Sequence, residues 1–281
     1  MLEQAEENPG SIKDRREIKA PPNYVSVFHE TKKDFLEAIN QEGLRVGPKS
    51  RNIGSSEAMA RRNKMIDDHR PRNLIKMGIS RISCIYAYPF LECGHGLIGA
   101  DQRFIRHDPS SLREEFEHAL RNRDIYKDFL DYWSRSGVNT PDEYVARMTD
   151  PEFLRIIYPG EILELRVDPE RCWVGDLEYI TRIGDGVNRG LSEAQAAEHQ
   201  APKYWKNLIT LEDFLKWYRK PAWAEDGNSI KDAEQYRDGE PLDTGGYYPL
   251  RGAPDSFPWR ICQPEILIPE NVPQEQIRLV K

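Results

Sequence analysis

Tyr24-Val25-Ser26-Val27-Phe28-His29-Glu30-Thr31 is the stretch on which the fold turns. Four of its first five residues are β-branched or aromatic, side chains that suit a pleated, half-buried surface, and Tyr24–Phe28 reads as a short strand. Thr31, with Asp34 in the place a capping box uses, predicts a helix start; Phe35, Leu36 and Ile39 form its apolar stripe, and Gly43 stops it. A strand, a short turn and a helix thus occupy about twenty residues.

Outward from there the signals alternate between the two periods. Ile82–Tyr88 predicts a second strand bounded by Pro89, followed by a connection containing Gly94, Gly96 and Gly99. Helical patterning runs over 111–133, and Pro141 opens another helix through Met148. Glu161–Val167 reads as a strand, with Cys172-Trp173-Val174 as its neighbour across a turn at Asp168-Pro169. Thr210 and Asp213 cap a further helix that ends before Pro221, and helices are expected over 190–220. Late strand signals lie at 259–262, 265–268 and 277–280. The order predicts an α+β domain with a split mixed sheet and helical insertions, residues 23–281 forming one domain behind a flexible leader, 1–22.

At 281 residues the chain can bury a substantial core. No run approaches the roughly 18 apolar residues of a membrane helix, and a cytoplasmic location is expected, with delivery as an effector left open. Four cysteines, none in a C-x-x-C pair, read as free thiols. The net charge of −7 argues against whole-protein steering of nucleic acid. Charge is nonetheless uneven. Residues 51–81 carry eight basic against three acidic side chains, a solvated face by default and a phosphate- or partner-facing patch as the sharper alternative. Residues 221–243 carry seven acidic against two basic and read as a long surface excursion.

Glycine-rich phosphate loops ending in Lys-Ser or Lys-Thr, H-E-x-x-H and G-x-S-x-G are all absent from the sequence. Cys93-Gly94-His95 offers two ligand types with no partner pair nearby, so no metal is expected.

What remains is Phe28-His29-Glu30-Thr31, the helix closing in Glu42-Gly43-Leu44, an aromatic strand at Tyr86 and Tyr88, and Gln263-Pro264-Glu265-Ile266-Leu267-Ile268-Pro269 before Pro273–Ile277. In that order these segments resemble the ADP-ribosyltransferase superfamily, in particular its His-Tyr-Glu branch and its bacterial toxin or effector members. The resemblance covers mainly 24–47, 80–90, 160–177 and 257–280. It implies NAD as substrate and no metal. His29 and Thr31 would bind the dinucleotide, and a ring at Tyr86 or Tyr88, with Tyr86 chosen, would stack on nicotinamide. Glu265 would stabilise the positive charge that develops on ribose as nicotinamide leaves. Gln263 would help position the acceptor, as in the related arginine-type branch. Glu30 stands where the family often has Gly, and Asp176 resembles an acidic turn of bacterial members. The implied partner is a macromolecular acceptor, protein or nucleic acid, together with an antitoxin or immunity partner. NAD hydrolysis and a non-catalytic module binding ADP-ribose or a partner are the alternatives; RNA 2'-phosphate transfer on a similar fold lacks a clear set of phosphate-binding arginines.

Overall fold

The structure, a computed structural model, describes residues 20–47, 57–90, 109–150, 160–222, 224, 226, 229–237, 242 and 245–280. Nearly all of the expected leader and the Cys93-Gly94-His95 segment lie outside these residues. Among them no helix is long and apolar enough to cross a membrane.

β1 (Val25–Lys32) pairs antiparallel with β3 (Gly160–Val167), and β3 with β9 (Ile277–Leu279). A second sheet has the order β2 (Ile85–Ala87), β8 (Pro264–Ile268), β4 (Trp173–Asp176), β5 (Ile209–Thr210). Phe28 and Tyr88 exchange both main-chain hydrogen bonds, at 2.9 and 2.7 Å, and this bridge joins β1 to the end of β2. The fold is α+β, but every ladder among the described residues runs antiparallel where a mixed sheet is expected.

Alternation along the strands feeds separate cores. Val27, Leu163, Leu165, Ile85, Ala87, Val174, Ile266 and Ile268 face one side. There they meet Ile39 of α1 (Leu36–Glu42) and Leu211 and Phe214 of α9 (Leu211–Trp217). Leu267 faces the other side. It meets Ile66 of α2 (Glu57–Asp68), Leu74 of α3 (Arg72–Lys76), Ile180 and Ile183 of α7 (Glu178–Asn188) and Tyr204 and Trp205 of α8 (Glu193–Lys206). All five residues of β8 are buried, so this strand is central. By its sequence Pro264 predicts an edge or bulge; it stands first in the strand instead, where its missing N–H is tolerated.

The helical insertion builds a core of its own. Leu112 and Phe116 of α4 (Pro109–Arg121), Trp133 of α5 (Lys127–Arg135) and Tyr144 and Met148 of α6 (Pro141–Met148) pack together with Val138. The helical region expected over 111–133 consists of two helices; between them the Asn122 side chain hydrogen-bonds the His118 carbonyl at 2.9 Å where the chain turns.

Other expectations are corrected by long-range pairing. Thr31 does not start a helix: β1 runs on to Lys32 because Glu30, Thr31 and Lys32 pair with Ile162, Glu161 and Gly160, and α1 begins after a single 3-10 turn. The second strand starts at Ile85 rather than Ile82, since the amides of Ile82 and Ser83 are held in a turn by Ser80 Oγ at 2.9 and 3.2 Å. The described part of the acidic excursion folds back onto the body. Tyr236, Tyr247 and Tyr248 are buried, β6 (Tyr218–Arg219) pairs with β7 (Tyr248–Pro249), and Arg237 donates to the Pro254 and Phe257 carbonyls at 2.8 and 3.1 Å. Gly43 closes α1 at φ 74°, and a Cβ there would lie 2.3 Å from the Val272 carbonyl oxygen, so glycine is required where Leu44 pairs with Val272.

Candidate functional site around Glu265

Glu265 lies on β8 opposite Gly175 of β4, 2% exposed, on the face that looks toward α2 and α8. Its carboxylate forms an ion pair with Arg81 and accepts the Tyr204 hydroxyl proton at 2.7 Å. Gly175 makes the space: a Cβ there would sit 2.6 Å from the Tyr204 hydroxyl oxygen. A carboxylate taken out of water costs several kcal/mol, roughly, unless it is paired and hydrogen-bonded, and both conditions hold.

Arg81, also 2% exposed, is bound on every side. Its Nε donates to Asn63 Oδ1 at 3.0 Å, its Nη1 to Tyr204 at 2.9 Å, and its main-chain N–H to Asp67 Oδ1 at 2.7 Å. The rings of Tyr86 and Tyr204 lie 4.9 and 5.1 Å from its guanidinium carbon, at cation–π range. Burial works against the guanidinium charge, but the Tyr204 and Tyr86 hydroxyls and Asp67 outweigh it and hold the pKa above its ordinary value. Burial pushes the Tyr204 hydroxyl up, so it stays a proton donor to Glu265. Asp67 in turn takes the Ser80 hydroxyl at 2.5 Å, which fixes the turn carrying Arg81.

The six residues proposed from sequence divide between two places. Tyr86 and Tyr88 share the Glu265 face: the Tyr86 hydroxyl donates to the Arg81 carbonyl, and Tyr88 packs with Phe28 on Ile162. His29 lies on the opposite side, on the face of β1 that also carries Val27 and Thr31, and is paired with Leu163. Its Nδ1 meets the Tyr86 main-chain carbonyl at 2.6 Å, so Nδ1 carries the proton and Nε2 remains an acceptor. Burial lowers the His29 pKa more than that carbonyl raises it, favouring the neutral ring. Thr31 is 2% exposed, and its hydroxyl has no partner among the described residues. Gln263 precedes β8; its side-chain oxygen is buried without a partner among the described residues. The structure therefore joins Tyr86 to Glu265 through Arg81, and His29 to the Tyr86 backbone carbonyl.

Sequence reasoning missed Arg81, Tyr204, Asn63 and Asp67. Arg81 was counted with the basic face of 51–81, and its one local signal is its place at the end of that run, just ahead of an apolar strand. Among the described residues, most basic side chains of that face are paired. Arg61 and Arg62 both pair with Glu193 at 3.4 Å, Lys64 pairs with Asp68 at 3.2 Å, and Arg70 donates to the Ile79 carbonyl at 2.7 Å.

Asp176, Glu178 and Cys262 bring three ligand-type atoms within 4.8 Å of one another. Their chemistry suits hydrogen bonding better than a metal. The Asp176 oxygens already accept three amide protons, and burial and Glu178 push the Cys262 thiol up, away from the thiolate a metal needs. Cys84, Cys172 and Cys262 are free thiols, as the spacing predicts.

No protein-family description, curated protein or solved structure matches the chain.

Proposed function

We propose that the chain transfers ADP-ribose from NAD to a macromolecular acceptor with release of nicotinamide, on a split sheet of the ADP-ribosyltransferase type. The observation that supports this reading is the spatial order β1, β2, β8: His29, Tyr86 and Glu265, up to 236 positions apart, sit on three neighbouring strands. A carboxylate near ribose C1 stabilises the oxocarbenium-like charge that forms as the bond to nicotinamide breaks. For Glu265 to do so, its pair with Arg81 and Tyr204 must open toward the dinucleotide.

Nicotinamide release from labelled NAD, with recovery of label on protein, DNA and RNA of a cell extract, tests the reading. Release by wild type and its loss in Glu265→Gln are expected. Label left free in solution would indicate hydrolysis instead of transfer.

A second reading has its own support. Glu265 is sealed by Arg81 and Tyr204, as a structural ion pair would be, which favours a module that binds ADP-ribose or a partner without turnover. NAD binding without nicotinamide release, unaffected by Glu265→Gln, would select it.

A further inference from the structure

Pro264 opens β8 without an N–H, so the strand that carries Glu265 begins with a residue that donates nothing to its neighbours. A different group holds the chain at that point. Asp176, at the end of β4 and 4% exposed, accepts the Gln263 amide on Oδ1 at 2.9 Å and the Cys262 amide on Oδ2 at 2.9 Å. The same Oδ1 accepts the Glu178 amide at 3.0 Å, at the first residue of α7. The Leu177 amide completes the junction by donating to the Gln263 carbonyl at 2.9 Å. One side chain thus ties together the end of β4, the start of α7 and the two residues ahead of Pro264. Only a carboxylate serves all three amides. An asparagine would keep one acceptor oxygen and turn its NH2 group toward an amide donor.

We infer that Asp176 is the positioning residue of Glu265, fixing where β8 begins and so where the Glu265 carboxylate stands relative to Arg81 and Tyr204. Its consequence for turnover rests on the ADP-ribosyl-transfer reading; its consequence for the backbone does not. A single residue, Pro264, separates the clamped Gln263 from Glu265, and its ring fixes one of the backbone angles between them. A shift at the clamp therefore reaches the carboxylate with little loss, and misplacement by about 1 Å can cost on the order of a hundredfold in rate.

The test compares wild type, Asp176→Asn and Asp176→Glu by amide hydrogen exchange, thermal unfolding, and kcat and KM for nicotinamide release from NAD. In Asp176→Asn the remaining oxygen can keep the Gln263 and Glu178 amides, while the NH2 group meets the Cys262 amide, so exchange at Cys262 should rise at least about tenfold while Ile266 to Ile268 stay protected, with kcat down about tenfold or more and KM for NAD within about twofold. Asp176→Glu keeps both oxygens and should recover part of kcat. If Asp176→Asn proves too unstable to assay, Asp176→Glu against wild type carries the same comparison, with smaller changes. Unchanged exchange at Cys262 would overturn the inference, as would raised exchange with wild-type kcat. Absence of nicotinamide release from wild type would instead sink the functional reading, leaving the exchange data alone to decide the positional claim.

Discussion

Replacing Arg81 by methionine removes the guanidinium and keeps much of the side-chain volume, so it isolates the charge. Glu265 is then a carboxylate 2% exposed whose remaining partner is the Tyr204 hydroxyl, and Asn63 Oδ1 loses the Nε donor it has at 3.0 Å. Removing one member of a buried pair costs about 3–5 kcal/mol, and the orphaned Asn63 acceptor adds about 1 kcal/mol. Against a typical domain stability of about 5–15 kcal/mol this is a large fraction. The double variant R81M/E265Q removes the unpaired charge as well and should regain about 1–3 kcal/mol of the loss, a coupling that a double-mutant cycle reads directly. Urea denaturation followed by tryptophan fluorescence supplies the four free energies; Trp205, which donates to the Ile66 carbonyl at 2.7 Å, reports on this core. A loss below about 1 kcal/mol for R81M, or strictly additive single and double variants, would refute the claim that the pair is desolvated and mutually dependent.

Three further outcomes follow from the geometry. Gly175→Ala places a methyl 2.6 Å from the Tyr204 hydroxyl oxygen and should cost about 1–3 kcal/mol in urea denaturation; a neutral result would mean that Tyr204 does not approach β4 as described. His29 is held neutral by burial, with its folded pKa below the unfolded value of about 6.5, so its contribution to stability is present above that pH and drains away as pH falls through the folded pKa. Denaturation midpoints measured between about pH 5 and pH 8 should fall less steeply on acidification in His29→Asn than in wild type; parallel slopes would show that His29 is not the group responsible. Phe116→Ala, in the core of the helical insertion, should destabilise that unit by about 3–5 kcal/mol while leaving the exchange protection of Ile266 to Ile268 unchanged; equal loss in both regions would show that they melt together.

Local signals were read well where the interaction partners are neighbours in the chain. Thr210 caps α9 by accepting the Asp213 amide at 3.1 Å, as its spacing predicts. Pro141 opens α6 behind a Thr140–Glu143 capping box, and Glu161–Val167 forms a strand with one residue added in front. What failed depends on partners far away. Thr31 and Asp34 carry a capping pattern that loses to a ladder with residues 130 positions on. Pro264 looked like an edge marker because nothing local shows β2 and β4 on either side of β8. For the site, the strand positions of His29, Tyr86 and Glu265 were legible and the burial of Glu265 was not. Arg81 and Tyr204 precede it by 184 and 61 positions, and an arginine in a basic run carries no mark of where its head group goes.

The strict alternation of β8 has a consequence for folding errors. Glu265 and Leu267 point into one core, Ile266 and Ile268 into the other. If the strand docked one position out of step, a carboxylate would enter the all-apolar layer of Val174 and Ala87, and an isoleucine would be set against the Arg81 guanidinium. Both mismatches arise in the same event, so the misaligned state is penalised twice, like a code word whose single shift violates two parity checks. The residue proposed for chemistry thereby also proofreads the assembly of the strand that carries it.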